Sequence, residues 1–356
     1  MDFKGVLPLE KRLEWADIAK GLGIILVVFA HTLVPRLRDT SAAIKFIWIF
    51  IYNFHMPLFF FVSGWLFEKN LPRYTDKLKF TLSKSRLLML PYLMFSLFAY
   101  AVVIVSLQIP ALAGVLAGGG YGAPTFKDAV LGILFYFNHV DQHLWFVYSL
   151  FIVFTVNILL PRLMKNRYML IALLALYVSK AFVHYPAILD YTASDLVFFS
   201  LARVMFAAKR EPVLSSPLKF AATLVIFITA NCVYSVFYVT QMPGGAVKII
   251  LYITRAICSA AGIVTVCTMS DFVSKTKLKE FFTEIGMYSY DIYLIHAPFL
   301  VSGLMGILLA YTRLFAPVCC AAVTVIGIAL PYALSRFIIR KIPPLAYILL
   351  GQKKAR

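Results

Sequence analysis

Apolar residues gather along the chain into runs long enough to cross a hydrocarbon core of about 30 Å, and these runs recur from one end to the other. Ten are expected, at about 16–34, 44–67, 86–109, 143–161, 168–184, 190–208, 217–240, 247–270, 285–310 and 314–339. The fifth and sixth are short and carry polar residues. The pattern predicts an all-α polytopic membrane protein, a single domain over 1–356 folded as a bundle of about ten transmembrane helices. The long connection at 110–142 holds Gly118-Gly119-Gly120, read as flexible, and then Phe126 to Asn138, read as a short interfacial helix.

Against this apolar background a few polar positions stand out. Asp17, Lys20 and His31 share one stripe of the first run. Lys20 and His31 are eleven residues apart, about three helical turns, so they point the same way roughly 16 Å from each other. Ionisable groups in a span are costly enough that they face a bundle interior or a wet pathway, which makes the stripe a functional-site candidate. In the second run His55 precedes Pro57, whose ring crowds the carbonyl of Asn53 and lacks an N–H, so a kink is expected beside the histidine. In the ninth run Ser289, Tyr293 and His296 lie on one helix face at a depth comparable with His31. Asp291 points roughly the opposite way, as expected of a helix-to-helix hydrogen bond.

Composition agrees with the pattern: 62% of residues are hydrophobic, 14% are charged and the mean hydropathy is +0.85. A net charge of +18 would suit nucleic acid, but the placement of the cations points elsewhere. With the N-terminus inside, 24 of the 34 Lys and Arg fall in cytoplasmic segments, seven outside and three within spans. That asymmetry predicts a cell-membrane protein with both termini in the cytoplasm, and its basic loop at 68–86 would either hold an anionic cofactor or rest on acidic lipid. Residues 1–15 are polar and no small-residue cleavage site follows, so no removable signal peptide is expected.

The five cysteines lie in spans without ligand-like spacing and read as apolar filling. No Glu-x-x-His motif, Gly-x-Ser-x-Gly elbow, Walker loop or dinucleotide fingerprint occurs, and no metal is expected. What the residues offer is a histidine able to act as a general base, with cations in the same cavity.

In order along the chain, Asp17-x-x-Lys20-Gly21 with His31, Phe54-His55-Met56-Pro57-Leu58-Phe59-Phe60 with Ser63-Gly64, Arg86-Leu87-x-x-x-Pro91-Tyr92, Leu144-Trp145-Phe146 and Ser289-Tyr290-x-Ile292-Tyr293-Leu294-Ile295-His296 form a set. This set resembles acyltransferase family 3, the integral membrane sugar O-acyltransferases of surface polysaccharides. The resemblance covers nearly the whole chain. It implies transfer of an acyl group, typically acetyl from acetyl-CoA, to a hydroxyl of a cell-surface or lipid-linked glycan. His31 is then the candidate base, with His296, Tyr293 or a backbone amide freed near Pro57 as the oxyanion donor, and His55 completes the candidate catalytic set. Lys20, Lys84 and Arg86 would hold the polyanionic donor at the cytoplasmic mouth, while Asp17, Ser63, Ser289 and Asp291 would orient or brace.

The chain departs from the family pattern twice. Lys20 stands where the family has arginine, and Lys84-Ser85-Arg86 stands where it has an arginine pair. Lysine keeps the charge but not the planar fork. The rival reading is a transporter or flippase of a lipid-linked glycan or anion, which would also bury Asp, Lys and His in its spans but would be expected to show inverted repeats. None is visible in the sequence.

Overall fold

In the computed structural model, which describes residues 13–110, 112–114, 125–135, 141–239, 245–312 and 314–353, every regular element among the described residues is helical. The main helices are α1 (Glu14–Thr32), α2 (Ala42–Tyr52), α3 (His55–Asn70), α4 (Leu90–Leu107), α5 (Trp145–Leu159), α6 (Arg167–Ser179) and α7 (Ala187–Ala207). They continue as α8 (Pro217–Val239), α9 (Gly245–Val273), α10 (Lys279–Met287), α11 (Ser289–His296), α12 (Leu304–Tyr311), α13 (Ala316–Ala333) and α14 (Pro343–Leu350).

Helices stand at all ten predicted positions, but by length and composition fewer than ten of them qualify as spans. Among the described residues seven stretches are long and apolar enough to cross a membrane: Glu14–Thr32, Ala42–Arg73, Lys77–Leu107, Gln142–Leu159, Pro217–Val239, Gly245–Val273 and Ala316–Lys341. The ninth predicted run makes an eighth only as a broken pair, α11 followed by Phe299–Tyr311 with a bend of 49°. The fifth run forms α6, whose 13 residues reach about 20 Å, short of the hydrocarbon thickness. The sixth forms α7, which carries Asp190, Asp195 and Arg203. A helix covers Phe126–Phe135 as expected, while the triglycine and residues 1–12 lie outside the described residues.

The burial pattern is that of a bundle in lipid. Leu97 and Phe98 on α4, Val225 on α8 and Val318 and Val325 on α13 are exposed, whereas Asp17, His55, Arg203, Asp291 and His296 are buried. In water that arrangement would be costly on both counts; in a bilayer it puts apolar groups against hydrocarbon and polar groups against each other.

The first helix is the axis of this arrangement, packing on α3, α9, α10, α11 and α13. Its approach to α10 depends on a pair of glycines. A Cβ at Gly286 would run into the backbone carbonyl of Asp17, and one at Gly21 into that of Phe282. Small residues of this kind let two backbones touch where lipid supplies no hydrophobic drive between helices.

The proline-induced break falls one turn before Pro57. Helix α2 ends at Tyr52, and α3 restarts at His55. The Asn53 carbonyl that Pro57 cannot engage accepts instead from Ser259 Oγ of α9 at 2.5 Å. The Asn53 amide donates to Asn231 Oδ1 of α8 at 2.9 Å, so the break is tied to two neighbouring helices.

On the other side of α3, Arg203 is fully buried and every arm of its guanidinium is used. It donates to Glu68 Oε2 at 2.7 Å, to Asn157 Oδ1 at 2.6 Å and to the Pro161 carbonyl at 2.7 Å. This cluster locks α3, α5 and α7 together and is structural. Removing one member of a buried pair costs about 3–5 kcal/mol because the other charge is left uncompensated. Arg203→Met is therefore expected to lower the melting temperature of the detergent-purified protein strongly, and Arg203→Met with Glu68→Met to recover part of the loss; equal melting of wild type and single variant would show the cluster to be inert.

Candidate active site

Two cavities lie inside the bundle and share one wall. The larger, of about 660 Å³, is lined by His31, Tyr52, His55, Gln142, His143 and Trp145, by residues of α6, α7 and α9, and by Tyr293. The smaller, of about 350 Å³, is lined by Lys20, Phe59, Ser63, Lys84, Phe146, Ser289, Tyr290, Tyr293 and Gln352 among others. Both fall in the range of about 300–1,000 Å³ usual for small-molecule sites. Tyr293 faces both.

The polar stripe of α1 therefore reaches from one cavity to the other. Lys20 opens on the smaller and His31 on the larger. The Lys20 ammonium is paired with Asp17 Oδ1 at 2.7 Å. The second cation of the smaller cavity, Lys84, lies over the Phe154 ring at 4.0 Å. Arg86 does not line either cavity; its Nε donates to the Gly351 carbonyl at 2.9 Å and pins the segment that carries Leu350 and Gln352 into the wall. Ser289 Oγ donates to the Gly286 carbonyl at 2.8 Å, while Ser63 lies in the wall of the smaller cavity.

At the junction three imidazoles converge. The His31 ring centroid is 5.0 Å from that of His296 and 6.4 Å from that of His143, and His143 and His296 are 5.5 Å apart. His296 is held by its own helix: its Nδ1 is 2.8 Å from the Tyr293 carbonyl. A carbonyl only accepts, so that nitrogen carries the proton and Nε2, which is buried and has no hydrogen-bond partner, presents a lone pair. His55 is fixed the same way, with Nδ1 2.8 Å from the Ile51 carbonyl and its ring 4.8 Å from Tyr52. The Tyr293 hydroxyl donates to the His143 carbonyl and so braces the junction.

His143 is the member that the sequence reading passes over. The Asp141 carboxylate lies against its Nδ1, making it the only one of the four site histidines paired with an acid among the described residues. The signal was adjacent: Asp141 and His143 immediately precede Leu144-Trp145-Phe146. Asp291, by contrast, turns away from the cavities. It accepts from Ser335 and from Arg340 Nε at 2.8 Å, joining α11 to the end of the α13 region.

Chemically, the junction offers the Nε2 lone pair of His296 and the rings of His31 and His143 between a polar cavity on one side and a cationic, aromatic-walled cavity on the other. That suits proton removal from a hydroxyl at the meeting point of two substrates. Among the described residues no group of three or more His, Cys, Asp or Glu is placed to hold a metal ion.

No curated protein and no solved structure matches the chain. A family pattern described as an acyltransferase domain matches residues 13–334, a stretch that takes in both cavities apart from Leu350 and Gln352. The chain belongs to the acyltransferase 3 family and is an integral membrane acyltransferase.

Proposed function

We propose that this acyltransferase moves an acetyl group from acetyl-CoA to a hydroxyl of a cell-surface or lipid-linked glycan, with the smaller cavity taking the donor and the larger the acceptor. The observation that supports this reading best is the shared wall: two small-molecule cavities of different polarity abut at Tyr293, with His31, His143 and His296 at the junction. The donor's phosphates need cations and its pantetheine arm needs an apolar channel; Lys20 and Lys84 with Phe59, Phe146 and Phe154 offer both. With the termini in the cytoplasm of the cell membrane, that end faces the pool of acetyl-CoA.

In this scheme the acceptor oxygen attacks the thioester carbonyl carbon while its proton passes to His31. The carbonyl π bond opens to an oxyanion, and its collapse breaks the C–S bond and releases the thiolate of CoA, which takes up the proton. Base catalysis is what makes the step feasible, since a sugar hydroxyl is a weak nucleophile at neutral pH until its proton is taken in the transition state. A second base is favoured by one specific contact. The Asp141 carboxylate behind His143 Nδ1 would orient that ring and stabilise it once Nε2 had gained a proton.

The two readings separate in a transfer assay with purified protein and radiolabelled acetyl-CoA. If His31 is the base, His31→Ala lowers kcat by about 10²–10⁴-fold and Asp141→Asn has little effect; if His143 is the base, Asp141→Asn and His143→Ala carry the loss. Wild-type inactivity toward every glycan class of the parent cell would count against the reading as a whole.

The donor end is tested at Lys20. Loss of a charge-assisted contact is worth about tenfold or more in binding, so Lys20→Ala is expected to raise the KM for acetyl-CoA by about that factor with kcat little changed, and Lys20→Arg to preserve it. An unchanged donor KM in Lys20→Ala would remove the smaller cavity from the scheme.

A further inference from the structure

The larger cavity contains two cations, and they are in opposite states. Lys180 is satisfied: its Nζ lies 3.1 Å from Asp190 Oδ1 and donates to the Asp190 carbonyl and to Ser194 Oγ, each at 2.8 Å. Arg255, on α9, lines the same cavity, and among the described residues nothing hydrogen-bonds or ion-pairs with its guanidinium. The two carboxylates of the cavity are already engaged. Asp190 is held by Lys180, and Asp195 Oδ2 accepts from Ser149 Oγ at 2.6 Å.

The charged and titratable groups within electrostatic reach of Arg255 are Tyr177, Tyr234, Tyr252, Asp195, His55, Lys180 and Cys258. Asp195 offsets part of its charge from a distance, yet among the described residues no acceptor meets its five N–H donors. A guanidinium inside a bundle is costly, and one left without acceptors more so. The planar fork matches a carboxylate or phosphate in two parallel hydrogen bonds, which is the arrangement that makes such a cation worth keeping. Around it stand the rings of Tyr177 and Tyr252, 5.4 Å apart and edge to face, with Trp145 and Tyr52 on the same cavity wall.

We propose that the ligand of the larger cavity carries an oxyanion, the carboxylate of an acidic sugar or a phosphate ester, and that Arg255 grips it while the ligand's hydroxyl end points to the histidine junction. The proposal rests on the acyl-transfer reading for the ligand's role as acceptor, but the anion site itself does not. Arg255 is then a specificity-determining residue that selects acidic over neutral acceptors.

Binding is measured on the full chain in detergent by the fluorescence of its tryptophans, of which Trp145 lines the cavity, and by thermal shift. Glucuronic acid is compared with glucose, and glycerol 3-phosphate with glycerol. At least one charged probe is expected to bind about tenfold or more tightly than its neutral partner, which is the scale of a charge-assisted contact. The pair that shows the preference tells carboxylate from phosphate. Arg255→Gln is expected to abolish the preference, and Arg255→Lys, which keeps the charge but not the fork, to retain only part of it.

Charge-blind binding by the wild type, no binding of any probe, or a preference that survives in Arg255→Gln would each overturn the proposal. Should Arg255→Gln not fold, the wild-type comparison and Arg255→Lys still decide. A wild type that prefers the charged probe but consumes no acetyl-CoA leaves the anion site standing and removes the acyl-transfer reading. Acetyl-CoA turnover with charge-blind binding does the reverse.

Discussion

A polar stripe on a single membrane helix sets the terms for the rest of the molecule. Asp17, Lys20 and His31 cannot face lipid, so α1 has to be enclosed on every side, and α3, α9, α10, α11 and α13 are gathered around it. Enclosure at backbone contact needs the glycine pair Gly21 and Gly286 at one end of the stripe. At the other end His31 opens on the larger cavity, and His296, the last residue of α11 before the bend, brings its ring to 5.0 Å from that of His31.

The buried polar groups of the bundle sort into two kinds by how they are satisfied. One kind is closed on itself: Arg203 with Glu68, Asn157 and the Pro161 carbonyl, Asp291 with Ser335 and Arg340, and Asn53 with Asn231 and Ser259. These groups join helices where a bilayer offers no solvent to complete their hydrogen bonds. The other kind holds back part of its capacity, as with the Nε2 lone pair of His296 and the donors of Arg255, and every such group named here borders the larger cavity or the histidine junction. At these two positions the withheld capacity lies at the larger cavity or the histidine junction, where a ligand can complete it.

Much of this was legible in the residues. The apolar runs located a helix at each predicted position, Pro57 marked the break in the second span, and the spacing of Ser289, Tyr293 and His296 placed Asp291 on the opposite face, where it bonds to Arg340. Residue counting could not establish which helices qualify as spans, since α6 falls short in length and α7 gives up apolarity for carboxylates that line the larger cavity. Nor could it find His143 or the state of Arg255. The first depends on a contact between the start of α5 and α11, and the second on which neighbours have already been claimed by Lys180 and Ser149. Both are properties of three-dimensional pairing between segments distant along the chain.

The two cavities are also built from different stretches of sequence. Nine residues between Tyr177 and Ser259 line the larger cavity, whereas no residue between Phe154 and Ser289 lines the smaller. The helices α6, α7 and α9 thus contribute to the larger cavity and not to the smaller. Substitutions at these nine positions can alter the lining of the larger cavity without changing a residue that lines the smaller, so the two cavities are free to vary in sequence independently of each other.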